Sequence, residues 1–205
     1  MSDEAKKLPG LLMVVSAPSG AGKTSVCRRV MRQFPELHFS VSVTTRKPRP
    51  GESAGKDYNF VSVEEFRAMI ARDEFVEWVE NYGHFYGTAK KTMDDFLERG
   101  GDLLLDIEPR GAKEIRKRYP RGAFVFILPP SLAELRKRLA KRGESAEVLE
   151  RRLAASVSEI KEAMWYDYII VNEKIEEAVE RFRAIYLAEK SRRDRYAEKI
   201  DSFFK

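Results

Sequence analysis

An apolar run, Leu11 to Val15, stops at a loop of small residues, Ala17-Pro18-Ser19-Gly20-Ala21-Gly22, and Lys23-Thr24 then opens a stretch that reads as a helix. That order of types is suited to holding an anion. Glycines let the backbone approach closely, so successive N–H groups converge on phosphate oxygens. A helix N-terminus adds favourable potential for negative charge. Lys23 is spaced to reach β and γ phosphates, and the Thr24 hydroxyl to ligate Mg2+. The usual pattern is G-x-x-x-x-G-K-[ST], and here Ala17 takes the first position. The competing reading is a glycine-rich helix entrance carrying a surface lysine. The strand–loop–helix context favours the phosphates of a nucleoside triphosphate, with ATP the expected ligand.

Asp106 closes a second apolar run, where an acid is costly unless a cation or partner meets it. It therefore fits a place beside magnesium or an arginine. Arg138, Arg142 and Arg152 are spaced to project from two helices, although "RKRLAKR" also suits a solvated basic face. Viewed alone, Glu77 in "FVEWVE" is the polar face of a strand. Cys27 is the single cysteine, so an internal disulfide is impossible, and a buried structural thiol is the natural reading. A reducing cytoplasm follows as the expected compartment.

Short β-type runs alternate with helical patterns, as in an α/β domain on a largely parallel sheet. "LLMVV", "LLLDI" (103–107), "FVFIL" (124–128) and "YIIV" (168–171) are nearly continuous apolar runs, as expected of strands covered on both faces. "FSVSV" (39–43) alternates, which predicts one more exposed strand. Capping boxes at Ser62-Val63-Glu64-Glu65 and Ser131-Leu132-Ala133-Glu134 open helices, the second running through Lys141 with Gly143 as its stop. A further helix runs from about Ala146 past Ile160, with Leu149, Leu153, Val157 and Ile160 in one stripe, and another starts near Glu173. The charged tail "KSRRDRYAEKIDSFFK" is expected to be solvated or frayed. Segments 39–101 and 131–164 interrupt the alternation and read as excursions from one core.

With 205 residues, 43% of them apolar and 35% charged, the chain suits one globular domain or one core with insertions. The net charge of +5 is compatible with nucleic acid or with small phosphorylated substrates. No apolar stretch approaches the roughly 18–20 residues of a bilayer span. Lys6-Lys7 ahead of the first apolar run is not expected to make a signal peptide, because the run is short and leads straight into the loop.

From "SAPSGAGKTS" (16–25) onward the sequence resembles the guanylate kinases, in which Ala or Gly at the first loop position is ordinary. "VSVTTRKPRPGE" (41–52), "KDYNF" (56–60), "FVEW" (75–78), "FYGT" (85–88), "LLLDIEPRGA" (103–112), "FILPPS" (126–131), "LRKRLAKRG" (135–143) and "YDYIIVN" (166–172) follow in the family's order. The resemblance covers roughly residues 11–190. It implies a P-loop NTPase core (about 9–42, 102–130 and 165–190), a GMP-binding insertion (about 43–101), a helical lid (about 131–164) and a charged tail (191–205). It also implies the reaction ATP + GMP = ADP + GDP with Mg2+.

On that resemblance, residues Ala17, Pro18, Ser19, Gly20, Ala21, Gly22, Lys23 and Thr24 hold ATP, with Asn172 near the adenine. Arg46 and Arg49, in a segment held extended by Pro48 and Pro50, can grip a dianionic monophosphate with two guanidinium forks. Tyr58 and Tyr86 complete that phosphate site. Guanine presents N1–H beside an exocyclic amine, a donor pair that a carboxylate accepts, whereas O6 requires donors. The resemblance makes Glu77 that carboxylate and gives O6 to Ser42 and Thr88. Asp106 and Glu108 belong to the same nucleotide site. The family usually reads D-I-D-x-Q-G where this chain has Asp106-Ile107-Glu108-Pro109-Arg110-Gly111, so an acid is lengthened at Glu108 and a charge introduced at Arg110. Lys23, Arg46, Asp106, Arg138 and Arg152 are the expected catalytic group, with Arg142 holding the lid itself.

Two other readings compete. One is a guanylate-kinase-like module that binds phosphorylated peptides, against which Lys23, Thr24 and Arg46 are all present. The other is a related ribose bisphosphate kinase, against which stand Glu77, Ser42 and Thr88. Nucleic acid is not expected as a partner, since the arginines are accounted for within the site and no stacking platform is visible.

Overall fold

The computed structural model describes residues 10–49, 51–55, 58–81, 83–141 and 145–205. Arg142 and Gly143, and Pro50, Lys56 and Asp57 of the quoted motifs, lie outside the described residues. The first half of the chain forms β1 (Leu12–Ser16), α1 (Lys23–Gln33), β2 (Leu37–Phe39), β3 (Val43–Thr44), β4 (Asn59–Phe60), α2 (Val63–Ala71), β5 (Phe75–Asn81) and β6 (His84–Ala89). The second half forms α3 (Lys90–Glu98), β7 (Asp102–Asp106), α4 (Pro109–Arg118), β8 (Ala123–Leu128), α5 (Leu132–Ala140) and α6 (Ala146–Lys161). It closes with β9 (Tyr168–Val171), α7 (Ile175–Lys190) and α8 (Ala197–Asp201).

The apolar runs build a parallel five-stranded sheet in the order β2-β7-β1-β8-β9. Successive side chains on a strand point to opposite faces, so β1, β7 and β8 each feed two cores. The last strand, β9, expected to be covered on both faces, lies at the sheet's edge, feeds one core and leaves Ile169 exposed. Met13, Val15, Val125 and Ile127 pack with Val26 and Val30 of α1 and Phe182 and Tyr186 of α7. Leu12, Val14, Leu105, Phe124 and Phe126 pack with Met93 of α3 and Ala112 and Ile115 of α4. β1 is central, and its neighbours β7 and β8 both follow it in sequence by long crossovers. The crevice where strand order reverses lies at the carboxyl end of β1, the place where such sheets bind ligands. Val15 lies beside Asp106 there, and Ser16 beside Phe126.

The smaller sheet, β4-β3-β6-β5, is antiparallel except for the β3–β4 pair. Phe66 of α2 stacks on Phe75 at 4.4 Å and on Phe85 at 5.3 Å, closing a separate small core.

Residues 39–43 do not form one strand. Phe39 ends β2 in the large sheet and Val43 begins β3 in the small one, while the Ser40 N–H still donates to Leu104 O. Alternation fits the half-buried edge of either sheet, and only pairing partners distant in sequence decide between them. The stripe on α6 also departs from expectation. Val157 is 37% exposed while Ser156 is buried, its hydroxyl donating to the Arg152 carbonyl. This helix packs along α5 rather than on the sheet. The caps at Ser62 and Ser131 form, each hydroxyl accepting the N–H three residues on at 3.1 Å. Their partner carboxylates turn outward, Glu65 to Arg72 and Glu134 to Arg138. The start of the tail is tied down. Lys190 Nζ reaches the buried Asp102 carboxylate at 2.6 Å, which also accepts from Tyr186 Oη and Leu11 N. Phe203 and Phe204 at the end are exposed. No helix among the described residues is long and apolar enough to cross a membrane.

Candidate active site

The phosphate loop joins β1 to α1 through two glycines in the left-handed region, Gly20 at φ 89° and Gly22 at φ 94°. Gly22 is also the N-cap of α1. A Cβ on Gly22 would lie 2.3 Å from Asn172 Nδ2, so the close approach needs glycine beyond the dihedral. Ala17, Pro18 and Ala21 are buried beneath the loop, and Ser19 is exposed on it. Lys23 Nζ sits 2.5 Å from Asp106 Oδ1 and 3.2 Å from the Ile107 carbonyl. The Thr24 hydroxyl lies 3.5 Å from the other Asp106 oxygen. The acid at the end of β7 thus has its cation. Cys27 is buried on the inner face of α1, and burial pushes its thiol up to about 12, which leaves it inert as a nucleophile.

Asn172, expected near adenine, is buried and its amide nitrogen donates to the Ala21 carbonyl at 2.7 Å. That amide braces the loop from below. The Asn172 backbone carbonyl accepts from Arg138 Nη2 at 3.1 Å, while Arg138 Nε holds Glu134 at 3.1 Å. Arg138 is therefore placed over the loop's brace and turned toward protein partners. Leu135 and Leu139 of the same helix sit where a Cβ on Gly20 would go. Arg152 lies partly buried on α6.

A cavity of about 890 Å³ opens between the small sheet and the N-terminus of α4. Ser42, Tyr58, Glu77, Tyr86, Asp106 and Glu108 all line it. Glu77 and Thr88 face each other across β5 and β6, and the Thr88 hydroxyl donates to Glu77 Oε1 at 2.6 Å. Burial raises the Glu77 carboxyl above its ordinary range and the charge of Glu108 adds to this, while the Thr88 bond opposes it. The resemblance gives Thr88 a donor role toward the base, whereas here its hydrogen is committed to Glu77. Gly111, on the first turn of α4, was not anticipated. A Cβ there would stand 2.9 Å from Glu77 Oε2, so the helix can approach the carboxylate only at glycine.

Arg46 is mostly buried at the edge of this cavity and holds both oxygens of Glu52, at 2.8 and 2.9 Å. Its guanidinium also lies 5.3 Å from the Tyr58 ring centre, and the Tyr58 and Tyr86 rings meet edge-on. The guanidinium holds the Glu52 carboxyl below the usual carboxylate range. Arg49 joins the group through its backbone N–H to Glu52, with its side chain exposed. Glu52 closes the "TTRKPRPGE" motif, and no residue type next to it announces the pairing.

One cleft thus carries a backbone nest with Lys23 and Thr24 on one side, a carboxylate–hydroxyl pair on the other, and Asp106 shared between them. The guanylate kinase family model matches residues 10–189. The chain belongs to the guanylate kinase family. It is 52% identical to the guanylate kinase of Syntrophus aciditrophicus over 200 residues, covering 98% of this chain and 97% of that protein. It is 49% identical to that of Geobacter sulfurreducens over 199 residues, covering 97% and 98%. The crystal structure of guanylate kinase from Anaplasma phagocytophilum superposes with a TM-score of 0.76 at 36% identity, with 97% of each chain covered. The extent of these matches leaves the reading as a peptide-binding module or ribose bisphosphate kinase without support.

Among the described residues no group of three or more His, Cys, Asp or Glu side chains forms a metal site. Thr24 and Asp106 are hard oxygen donors side by side, which suits a Mg2+ ion that brings most of its ligands as phosphate oxygens and water.

Proposed function

We propose that the cleft performs its reaction by holding ATP on the phosphate loop and GMP in the cavity against the small sheet, with the phosphoryl group passing directly between them. As a member of its family, the chain phosphorylates GMP to GDP at the expense of ATP. The backbone amides of 17–24 and the Lys23 ammonium bind the donor phosphates and need no reorganisation as charge shifts. Thr24 and Asp106 would hold Mg2+ brought in with the triphosphate, and the ion would supply neutralisation of phosphate charge. On the acceptor side Arg46, Arg49, Tyr58 and Tyr86 grip the monophosphate. Glu77 accepts from guanine N1–H and the exocyclic amine, with Ser42, Thr88, Asp106 and Glu108 around it.

Segments 43–101 and 131–164 act as acceptor-binding and covering parts about the core. Closure brings Arg138 and Arg152 to the transferring group and expels water. Arg138 must release Glu134 or Asn172 to do so. The observation that carries this reading is Glu77, half-buried with its second oxygen against Gly111 and its charge facing a cavity that Asp106 shares with the phosphate loop. A carboxylate so placed rejects adenine, which has neither the N1–H nor the 2-amino group to pair with it and sets its own amine where guanine has O6. An acceptor panel tests it. GMP is expected to turn over with ATP, and AMP and ribose bisphosphate to fail by factors approaching ~10⁴. Comparable turnover of AMP would remove the assignment of Glu77.

A further inference from the structure

Arg46 leaves the end of β3 on a backbone fastened to β6. The Thr44 hydroxyl accepts the Arg46 N–H at 3.2 Å and donates to the Phe85 carbonyl at 2.9 Å. The Thr45 hydroxyl accepts the Phe85 N–H at 2.9 Å. What remains to be fixed is a long side chain with several rotatable bonds, and Glu52, an acid that the reaction above does not use, fixes it. Arg46 Nη2 reaches Glu52 Oε1 at 2.8 Å and Oε2 at 2.9 Å, and the two side chains are only 12% and 21% exposed. Arg46 Nη1 donates to the Lys47 carbonyl at 2.8 Å, and the guanidinium lies 5.3 Å from the Tyr58 ring centre and 6.0 Å from that of Phe60. The same carboxylate holds Arg49. Its Oε2 accepts the Arg49 N–H at 2.8 Å, while the Glu52 N–H donates to the Arg49 carbonyl at 3.0 Å. This reciprocal pair closes a turn through Gly51, which stands in the left-handed region at φ 88°. One acid therefore sets the plane of one arginine and the backbone from which the other springs.

Charge and geometry pull in opposite directions here. A carboxylate beside the acceptor site repels a dianion and cancels part of the charge of Arg46. A guanidinium already held in one plane loses less freedom when a phosphate arrives. Near the surface solvent softens the repulsion, so ordering is the larger effect. We propose that Glu52 is a positioning residue for the acceptor: it presets Arg46 and Arg49 for the monophosphate and stays paired with Arg46 when the nucleotide binds. The proposal rests on the reading that these arginines hold the acceptor phosphate.

Affinities for GMP and for guanosine, which lacks the phosphate, test this on the full chain for wild type, Glu52→Gln, Glu52→Ala, Arg46→Ala and the Arg46→Ala/Glu52→Ala double variant. Glu52→Ala is expected to weaken GMP binding by ~10-fold, since two arginine side chains must then be ordered by the ligand itself. Glu52→Gln should weaken it less, because length and one acceptor oxygen are kept. Guanosine affinity should stay at the wild-type value in both. On the Arg46→Ala background, loss of Glu52 should cost less than on wild type, because its main partner is gone. GMP binding at or above the wild-type affinity in both Glu52 variants would make the acid a burden that phosphate displaces, and overturns the proposal. Equal weakening of GMP and guanosine makes Glu52 a fold contact and overturns it too, as does an undiminished cost on the Arg46→Ala background. If Arg46→Ala leaves GMP affinity unchanged, the acceptor-site reading falls and the proposal with it. Weaker GMP binding by Arg46→Ala with no effect of the Glu52 variants removes the proposal alone.

Discussion

In the proposed arrangement, recognition at the donor end of the cleft falls to backbone amides of one continuous loop, fixed by two left-handed glycines and braced by Asn172. At the acceptor end the same proposal gives it to side chains from separate elements: Glu77 on β5, Thr88 on β6, and Arg46 after β3. The first device reads only charge and shape, because every residue has the same amide. The second reads the pattern of donors on a base, because a carboxylate against a hydroxyl is a choice of side chains. The difference also decides how each is supported. The donor loop leans on the large buried sheet, with β1 buried along its whole length. The acceptor group stands on a two-sided small sheet whose core is Val43, Phe66 and Phe75.

If the two ends are separate, substitutions should damage one and spare the other. The largest effect is expected at Lys23→Ala, which should lower kcat by ~10³-fold or more while leaving GMP affinity near wild type. Steady-state kinetics with equilibrium GMP binding checks both halves. Gly111→Ala should raise KM for GMP by ~10–100-fold, because Glu77 is pinned by Thr88 and cannot give way. Alanine favours a helix over glycine by about 1 kcal/mol, so Tm should hold or rise while GMP recognition fails. A fall in both would make Gly111 merely structural. Asn172→Ala removes a buried bond from beneath the loop and should cost about 1–3 kcal/mol, read by thermal unfolding, with donor affinity weakened and GMP affinity kept.

The smallest effect concerns pH. On the proposed reading guanine recognition requires Glu77 ionised, so it is expected above the raised pKa of this group and lost as pH falls through it. The Thr88 bond favours the charged form, so Thr88→Val should raise that pKa further. The acid limb of the GMP affinity profile should move to higher pH, while titration of the GMP phosphate stays the same in both proteins.

The same contrast explains what could be read in the sequence. The phosphate loop is contiguous, and its physics is local, so Gly20, Gly22, Lys23 and Thr24 announced it without help. Three of the four apolar runs, β1, β7 and β8, were equally plain as buried strands. By contrast, "YIIV" became the edge strand β9 with Ile169 exposed, because a run of apolar types does not reveal how many neighbours a strand will have. Glu77 alone is a polar position on a strand and became a candidate through resemblance, since its partner Thr88 is reached only across a hairpin. The brace from Asn172 to Ala21 spans 151 residues, and the pairing of Arg46 with Glu52 depends on how a proline-bearing turn closes. The contact at Gly111 is likewise a product of tertiary packing. For residues 39–43 the local pattern was present but fitted two sheets.

Binding of GMP and of ADP to Glu77→Ala, measured separately on the same preparation, bears most directly on the division of the cleft. Loss of the two charge-assisted bonds to guanine should weaken GMP by about 10²–10⁴-fold and leave ADP within about twofold. Equal weakening of both ligands, or GMP binding unchanged, would contradict a carboxylate that reads the acceptor base.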